Sequence, residues 1–238
     1  MRKLGIIGGC GWASTALYYD AINRQVAGRL GGLHSALLAL ENLDFGPIAE
    51  MQHAGQWDKI SALTAEAGVR LQKAGAEGII IASNTMHSTY EAVASAVKVP
   101  VLHISDATAD VLVADGRTRV ALLGTQFAMS GDFLRDRYRA RGIEFTPLSQ
   151  SWAREVDRII YEELAAGKVV RDSQRKLKTL ITELAKQKVQ AVVLGCTELV
   201  LAVDVRANVL PVYDTTAIHA RAAVDWMLAE VEPARAAA

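Results

Sequence analysis

Read for apolar and polar positions alone, the chain alternates between short hydrophobic runs and longer amphipathic stretches. "KLGIIG" (residues 3–8) has the density of a buried strand, and "TALYYDAINRQVAGRL" follows with the three- and four-residue spacing of a helix face. "SALLALEN" predicts a second strand, and "DKISALTAEAGVRLQKAG" a helix closed at Gly75. "GIIIA" predicts a third strand, with a helix over 86–97. "VPVLHI" is a short strand and "DATADVLVADG" a helix closed by Gly116. Strands that alternate with helices in this way predict a parallel α/β sheet.

The pattern then restarts. "RVALLGT" (119–125) repeats the shape of "KLGIIGG", "AVVLGCTEL" that of "GIIIASNTM", and "VLPVYDTTAIHA" (209–220) that of "VPVLHISDATA". Gly8 pairs with Gly124, Ser83 with Cys196 and Pro100 with Pro211, in the same order and at nearly equal separations, which predicts an internal duplication. The expected fold is α/β, with two pseudo-symmetric lobes, each a mostly parallel sheet flanked by helices. Residues 1–97 with 209–230 are expected to form the first lobe and 98–208 the second, with the active site in the cleft between them. Periodicity ends at Pro233, and the tail beyond it is expected to fray.

Composition narrows the function. Half of the 238 residues are apolar, and 26 Lys and Arg balance 26 Asp and Glu. A neutral chain lacks the basic excess of an electrostatic nucleic-acid binder. No apolar run reaches the roughly 20 residues of a membrane helix. The apolar segment of "MRKLGIIGGC" is shorter than the roughly 7–15 residues of a signal core, so it reads as a strand and its turn. The two cysteines, Cys10 and Cys196, cannot build a disulfide framework and fit a reducing cytoplasm.

Two polar clusters stand where strands end. Ser83, Asn84, Thr85 and His87 follow the run that stops at Ala82; Cys196, Thr197 and Glu198 follow the run that stops at Gly195. Ligands of open parallel sheets bind beyond such carboxyl ends. Two groups that approach one ligand from opposite sides suit proton removal from one face of a carbon and delivery to the other. Helix N-termini after both strands would favour a carboxylate and lower the thiol from its ordinary value of about 8.5, so Cys196 is expected to be a thiolate near neutral pH.

Each residue also has a plainer reading. Cys196 reads equally as an inert buried cysteine. Asn84, Thr85 and Thr197 clamp a carboxylate or simply cap helices, and Thr125 offers another donor at a strand end. Glu198 accepts a substrate ammonium, orients Cys196, or only suits a first helical turn. His87 tunes the Ser83 hydroxyl or is structural. Lys168, in "LAAGKVV", reaches an acidic side chain or is an exposed loop lysine. The turn "GIIGGCGW" lacks the spacing of a dinucleotide loop, which argues against a nucleotide.

Over nearly the whole chain the motifs resemble the aspartate/glutamate racemase family. The resemblance runs from "LGIIGGCGWASTALYYDAIN" through "RLGGLHSA", "GAEGIIIASNTMH", "LHISDATA" and "RVALLGT" to "GCTEL" and "LPVYDTTAIHA", with "NTMH" and "GCTE" the most specific parts. It implies an isomerase that racemises a small amino acid, aspartate or glutamate, without pyridoxal phosphate or metal. It also implies two similar lobes, a homodimer, and an acid–base pair of two cysteines, one per lobe. This chain departs from that pattern at Ser83, where the first cysteine usually stands and some members carry threonine. Cys10 and Ala13 replace a common methionine and glutamate. The resemblance therefore assigns Cys196 as base, Ser83 as hydroxyl partner and the L form as favoured substrate, and it matches Trp12 and Gln52 to pocket-lining positions. Two alternatives stay open. One is a single-thiol decarboxylase of a malonate-type acid, against which "NTMH" argues; the other is a non-catalytic amino-acid-binding protein.

Overall fold

The computed structural model describes residues 1–229, so the tail beyond Pro233 lies outside the described residues. In chain order the elements are β1 (Leu4–Gly8), α1 (Trp12–Leu30), β2 (Leu38–Asn42), α2 (Phe45–His53), α3 (Trp57–Lys73), β3 (Gly78–Ile81), α4 (Tyr90–Ala96) and β4 (Val101–Leu102). They continue with α5 (Ile104–Ala114), β5 (Arg119–Gly124), α6 (Gln126–Ser130), α7 (Asp132–Arg139), β6 (Glu144–Phe145), α8 (Gln150–Arg158), α9 (Arg171–Lys186), β7 (Ala191–Gly195), β8 (Val212–Asp214) and α10 (Thr215–Leu228).

The chain divides into two compact units, residues 1–103 with 219–229, and residues 104–218. Each holds one four-stranded sheet, in the order β2-β1-β3-β4 and β6-β5-β7-β8, with every pair parallel. The two orders are the same, which is the duplication expected from the sequence.

In the first unit, alternate residues of the central strands feed two apolar layers. Leu4, Ile6 and Ile80 pack against Tyr18, Ile22 and Val26 of α1 and Val224 and Met227 of α10. Ile7, Ile79 and Ile81 pack against Ile60 and Leu71 of α3 and Val93 of α4. The four-residue spacing of Tyr18, Ile22, Val26 and Leu30 is the helix stripe that places them on one face. The second unit is built alike. Ala121, Leu123, Val192 and Leu194 meet Val156 of α8 and Leu177, Ile181 and Leu184 of α9. Val120, Leu122 and Val193 meet Leu112 of α5 and Leu134 and Tyr138 of α7.

Both crossings differ from the expected boundaries. β4 pairs with β3, so residues 98–103 stay with the first unit rather than opening the second. β8 pairs with β7, so residues 209–218 belong to the second unit. The helix expected over 86–97 is a 3-10 turn, Thr85–Thr89, followed by α4. α1 starts at Trp12, ahead of the expected threonine.

The strand order fixes where ligands fit. From β1 the chain moves to β2 on one side, and from β3 to β4 on the other. The crevice beyond the ends of β1 and β3 is therefore a topological switch point, and β5 and β7 make its counterpart. Gly9 turns the chain there with φ +94°, and a Cβ on it would lie 2.0 Å from the Leu43 carbonyl oxygen. Only glycine fits.

Candidate active site

In the first unit the switch point is lined by the turn after β3. The Ser83 main-chain carbonyl accepts a hydrogen bond from His87 Nδ1 at 2.7 Å, and the Asn84 carbonyl accepts the His87 N–H at 3.1 Å. Ser83 is half-buried and Asn84 buried. His87 thus anchors the backbone of this turn. Its ring lies 4.5 Å from that of His103 and 5.7 Å from that of His219. His219 Nε2 bonds the Leu102 carbonyl at 3.1 Å, an acceptor only, so this nitrogen carries the proton. Nδ1 then accepts from the Tyr18 hydroxyl at 2.9 Å. Burial pushes His219 down to about 4, so the ring is neutral.

Gln52 is buried and donates Nε2–H to Met86 Sδ at 3.4 Å, which ties α2 to the Thr85–Thr89 turn. Thr85 is half-buried. Trp12 opens α1 at the end of the glycine turn and is 73% exposed. Cys10 lies on that turn, and burial pushes its thiol up to about 12, so it stays protonated.

In the second unit Cys196 leaves β7 and caps a five-residue 3-10 turn, Thr197–Leu201. Its thiol donates to Glu198 Oε2 at 2.9 Å, and the Thr197 hydroxyl donates to the same oxygen at 2.8 Å. Burial, then the charge of Glu198 and its acceptance of the S–H, raise the thiol well above its ordinary value. This overturns the expected resting thiolate. Main-chain N–H groups of Glu198 and Leu199 pull the other way, but so short a turn carries too little dipole to win. Glu198 thus holds the thiol and also stands in the first turn, two of the roles open to it.

Thr125 follows β5 and caps α6, its hydroxyl accepting the Ala128 N–H at 3.2 Å. Asp157 accepts the neighbouring Gln126 N–H at 2.7 Å. Lys168 stands on an exposed turn after Gly167, which has φ +72°; its ammonium makes no ion pair among the described residues. Ser83, Asn84, Thr85 and His87 therefore share one turn, and Cys196, Thr197 and Glu198 another.

Tyr161 is the residue the sequence did not disclose. It sits on a π-turn, Ile159–Glu163, after α8. Its phenol is pushed up to about 12 by burial first and then by nearby negative charge, that of Asp157 and Glu198 included. Among the described residues no group of His, Cys, Asp and Glu side chains is arranged to hold a metal ion, and no helix is long and apolar enough to cross a membrane.

Residues 7–223 match the family model described as Asp/Glu/hydantoin racemase. A protein from Yersinia pestis described as an Asp/Glu racemase has the same fold at TM-score 0.91, with 41% identity over 96% of this chain and 100% of that one. An aspartate racemase homologue from Pyrococcus horikoshii OT3 superposes at TM-score 0.83, with 30% identity over 95% of this chain and 99% of that one. A broad-specificity amino-acid racemase of Bacillus subtilis (strain 168) is 25% identical over 172 residues, 72% of this chain and 74% of that protein.

Proposed function

The chain belongs to the Asp/Glu/hydantoin racemase family and is an amino-acid racemase, an isomerase by reaction class; from that premise we propose its chemistry. It inverts the α-carbon of aspartate or glutamate without a cofactor, with Cys196 as the base on one face and Ser83 as the hydroxyl partner on the other. The observation that carries the reading is the matched position of the two residues. Ser83 follows β3 and Cys196 follows β7, the equivalent strands of two sheets with the same order.

Cys196 starts protonated, and its S–H already bonds Glu198. That carboxylate takes the thiol proton as the substrate docks. The substrate ammonium offsets the negative charge that otherwise opposes a thiolate. The thiolate removes the α-proton of the L form, and the electron pair spreads from the α-carbon into the substrate carboxylate. Donors from Asn84, Thr85, Thr125 and Thr197 receive that charge, Trp12 and Gln52 line the side-chain pocket, and Lys168 receives a side-chain carboxylate. Ser83 then gives its proton to the opposite face and regains one from water, and Glu198 releases the thiol proton to solvent, which resets the site. A serine hydroxyl is a far weaker acid than a thiol, so this delivery is the slow step. We further propose that it acts as a homodimer in the cytoplasm.

Enantiomers have equal free energy in water, so kcat/KM must match in the two directions. A weak Ser83 therefore shows itself as α-proton exchange that outruns inversion. Proton NMR of L-aspartate and L-glutamate in D₂O, with chiral analysis of the same samples, tests this. Loss of the α-proton signal ahead of D product is expected. No exchange with either substrate would defeat the acidic amino-acid reading.

A further inference from the structure

Between α8 and a 3-10 turn at Leu164–Ala166, residues Ile159–Glu163 leave α-helical register in a single π-turn. Such wide turns are uncommon and cluster at functional sites, where they re-aim a side chain. This one is clamped from outside. Arg158 reaches Glu155 and Glu163 at 2.9 Å and Glu162 at 3.4 Å, and Lys176 holds Glu155 at 2.8 Å. It is seated from inside as well. Ile159, Ile160 and Leu164 lie in the same buried cluster as Cys196 and Leu199, and the Leu164–Ala166 turn packs on Thr197–Leu201. Tyr161 belongs to neither the clamp nor the cluster. It is exposed, on a turn set at the strand ends: Asp157, just ahead of it, accepts the Gln126 N–H after β5 at 2.7 Å. The charges of Asp157 and Glu198 also act on its phenol.

We infer that Tyr161 is a further substrate-contacting residue, which stands beside Cys196 and donates its phenolic hydrogen bond to the substrate α-carboxylate. The inference rests on the racemase reading above. A phenol among acidic neighbours stays protonated and remains a neutral donor. A lysine there would pair with Glu198 and draw it away from Cys196; a phenol leaves that hydrogen bond intact. Negative charge grows on the α-carboxylate as the α-proton leaves, so a donor in this place helps the transition state more than the ground state.

The test compares wild type with Tyr161→Phe, which keeps the ring and removes only the hydroxyl. Two quantities are read: α-proton exchange of L-aspartate and L-glutamate in D₂O, and protection of Cys196 by the same amino acids against iodoacetamide, followed by mass spectrometry. With thermal unfolding unchanged, kcat for exchange is expected to fall about 10²-fold. Ligand protection should weaken by about tenfold, as for one hydrogen bond to a charged group. If the wild type exchanges nothing but protection still weakens in the variant, the tyrosine contact stands and the racemase reading falls. If neither quantity differs between the two proteins, the inference falls, whether or not the wild type turns over.

Discussion

Replacing Glu198 by glutamine keeps the size and reach of the side chain and removes its charge. In the wild type that carboxylate lies 2.9 Å from the Cys196 sulfur. Burial is the larger cause of the raised thiol, and the variant leaves it in place; the charge of Glu198 comes second. Two unit charges 4 Å apart repel by about 4 kcal/mol at an effective dielectric of about 20. A factor of ten in ionisation needs only about 1.4 kcal/mol. Even if solvent screens most of the repulsion, Glu198→Gln should hold about tenfold more thiolate at a given pH. The assay is iodoacetamide alkylation over a pH series, resolved by mass spectrometry so that Cys10 is scored separately. The Cys196 rate should rise at lower pH in the variant than in the wild type. Racemisation should slow by about 10²-fold or more, because the acceptor of the thiol proton is gone. A thiol that reacts faster in an enzyme that works more slowly is a divergence no general loosening of the fold would give. Unchanged or slower alkylation would refute the reasoning, since the charge would then not govern the thiol.

Ser83→Cys should restore a strong acid on the second face and raise inversion about 10²-fold while α-proton exchange changes less; equal gains in both would show that delivery by Ser83 is not the slow step. His219→Leu should cost about 1–3 kcal/mol in urea unfolding, because the Tyr18 hydroxyl and Leu102 carbonyl lose their partner. His219 has a folded value of about 4 against 6.5 for the free ring, so its neutral form contributes fully above about pH 6.5 and that contribution is lost as pH falls toward 4. The variant should lack this part of the acid slope, and an unaltered slope would assign it to other groups. Glu155 is held down to about 2, from 4.5, first by its hydrogen bond to Arg158 and then by that to Lys176. Its contribution is present above about pH 4.5 and lost as pH falls through about 2, so the difference in melting temperature between wild type and Glu155→Gln should close over that range.

Alternation of apolar and amphipathic segments was enough to read a parallel α/β sheet, because each central strand is buried on both faces and shows as an unbroken apolar run. The restart at "RVALLGT" made the second sheet legible as a copy of the first. The crossings were not legible. β4 has two residues and β8 three, and so short a strand carries no sign of which sheet it joins. α2 was missed for another reason. Gly46 and Pro47 are poor helix formers, yet proline is tolerated in a first helical turn, and Asp44 accepts the Gly46 N–H at 3.2 Å to start the helix. The turn after Ser83 is 3-10 rather than α, which no periodicity announces over five residues.

At the site the residue types were legible and their electrostatics were not. Polar side chains at a strand end follow from topology, so Ser83 and Cys196 could be found by their positions alone. The state of Cys196 could not, because it depends on how deeply the thiol is buried and on where one carboxylate oxygen lies. Tyr161 was hidden by its π-turn. "IIYEEL" continues the helical pattern of α8, and only the extra residue in the turn sets the phenol apart from the buried isoleucines before it. The two halves therefore share a strand order and a place for chemistry but not its setting. In one, the strand-end thiol is held against Glu198. In the other, the strand-end serine sits on a backbone pinned by a buried imidazole. Acid–base strength is thus decided by the turns that follow the strands and not by the duplicated sheets. Substitutions at Ser83, Glu198 and Tyr161 should accordingly change rates while leaving the fold in place.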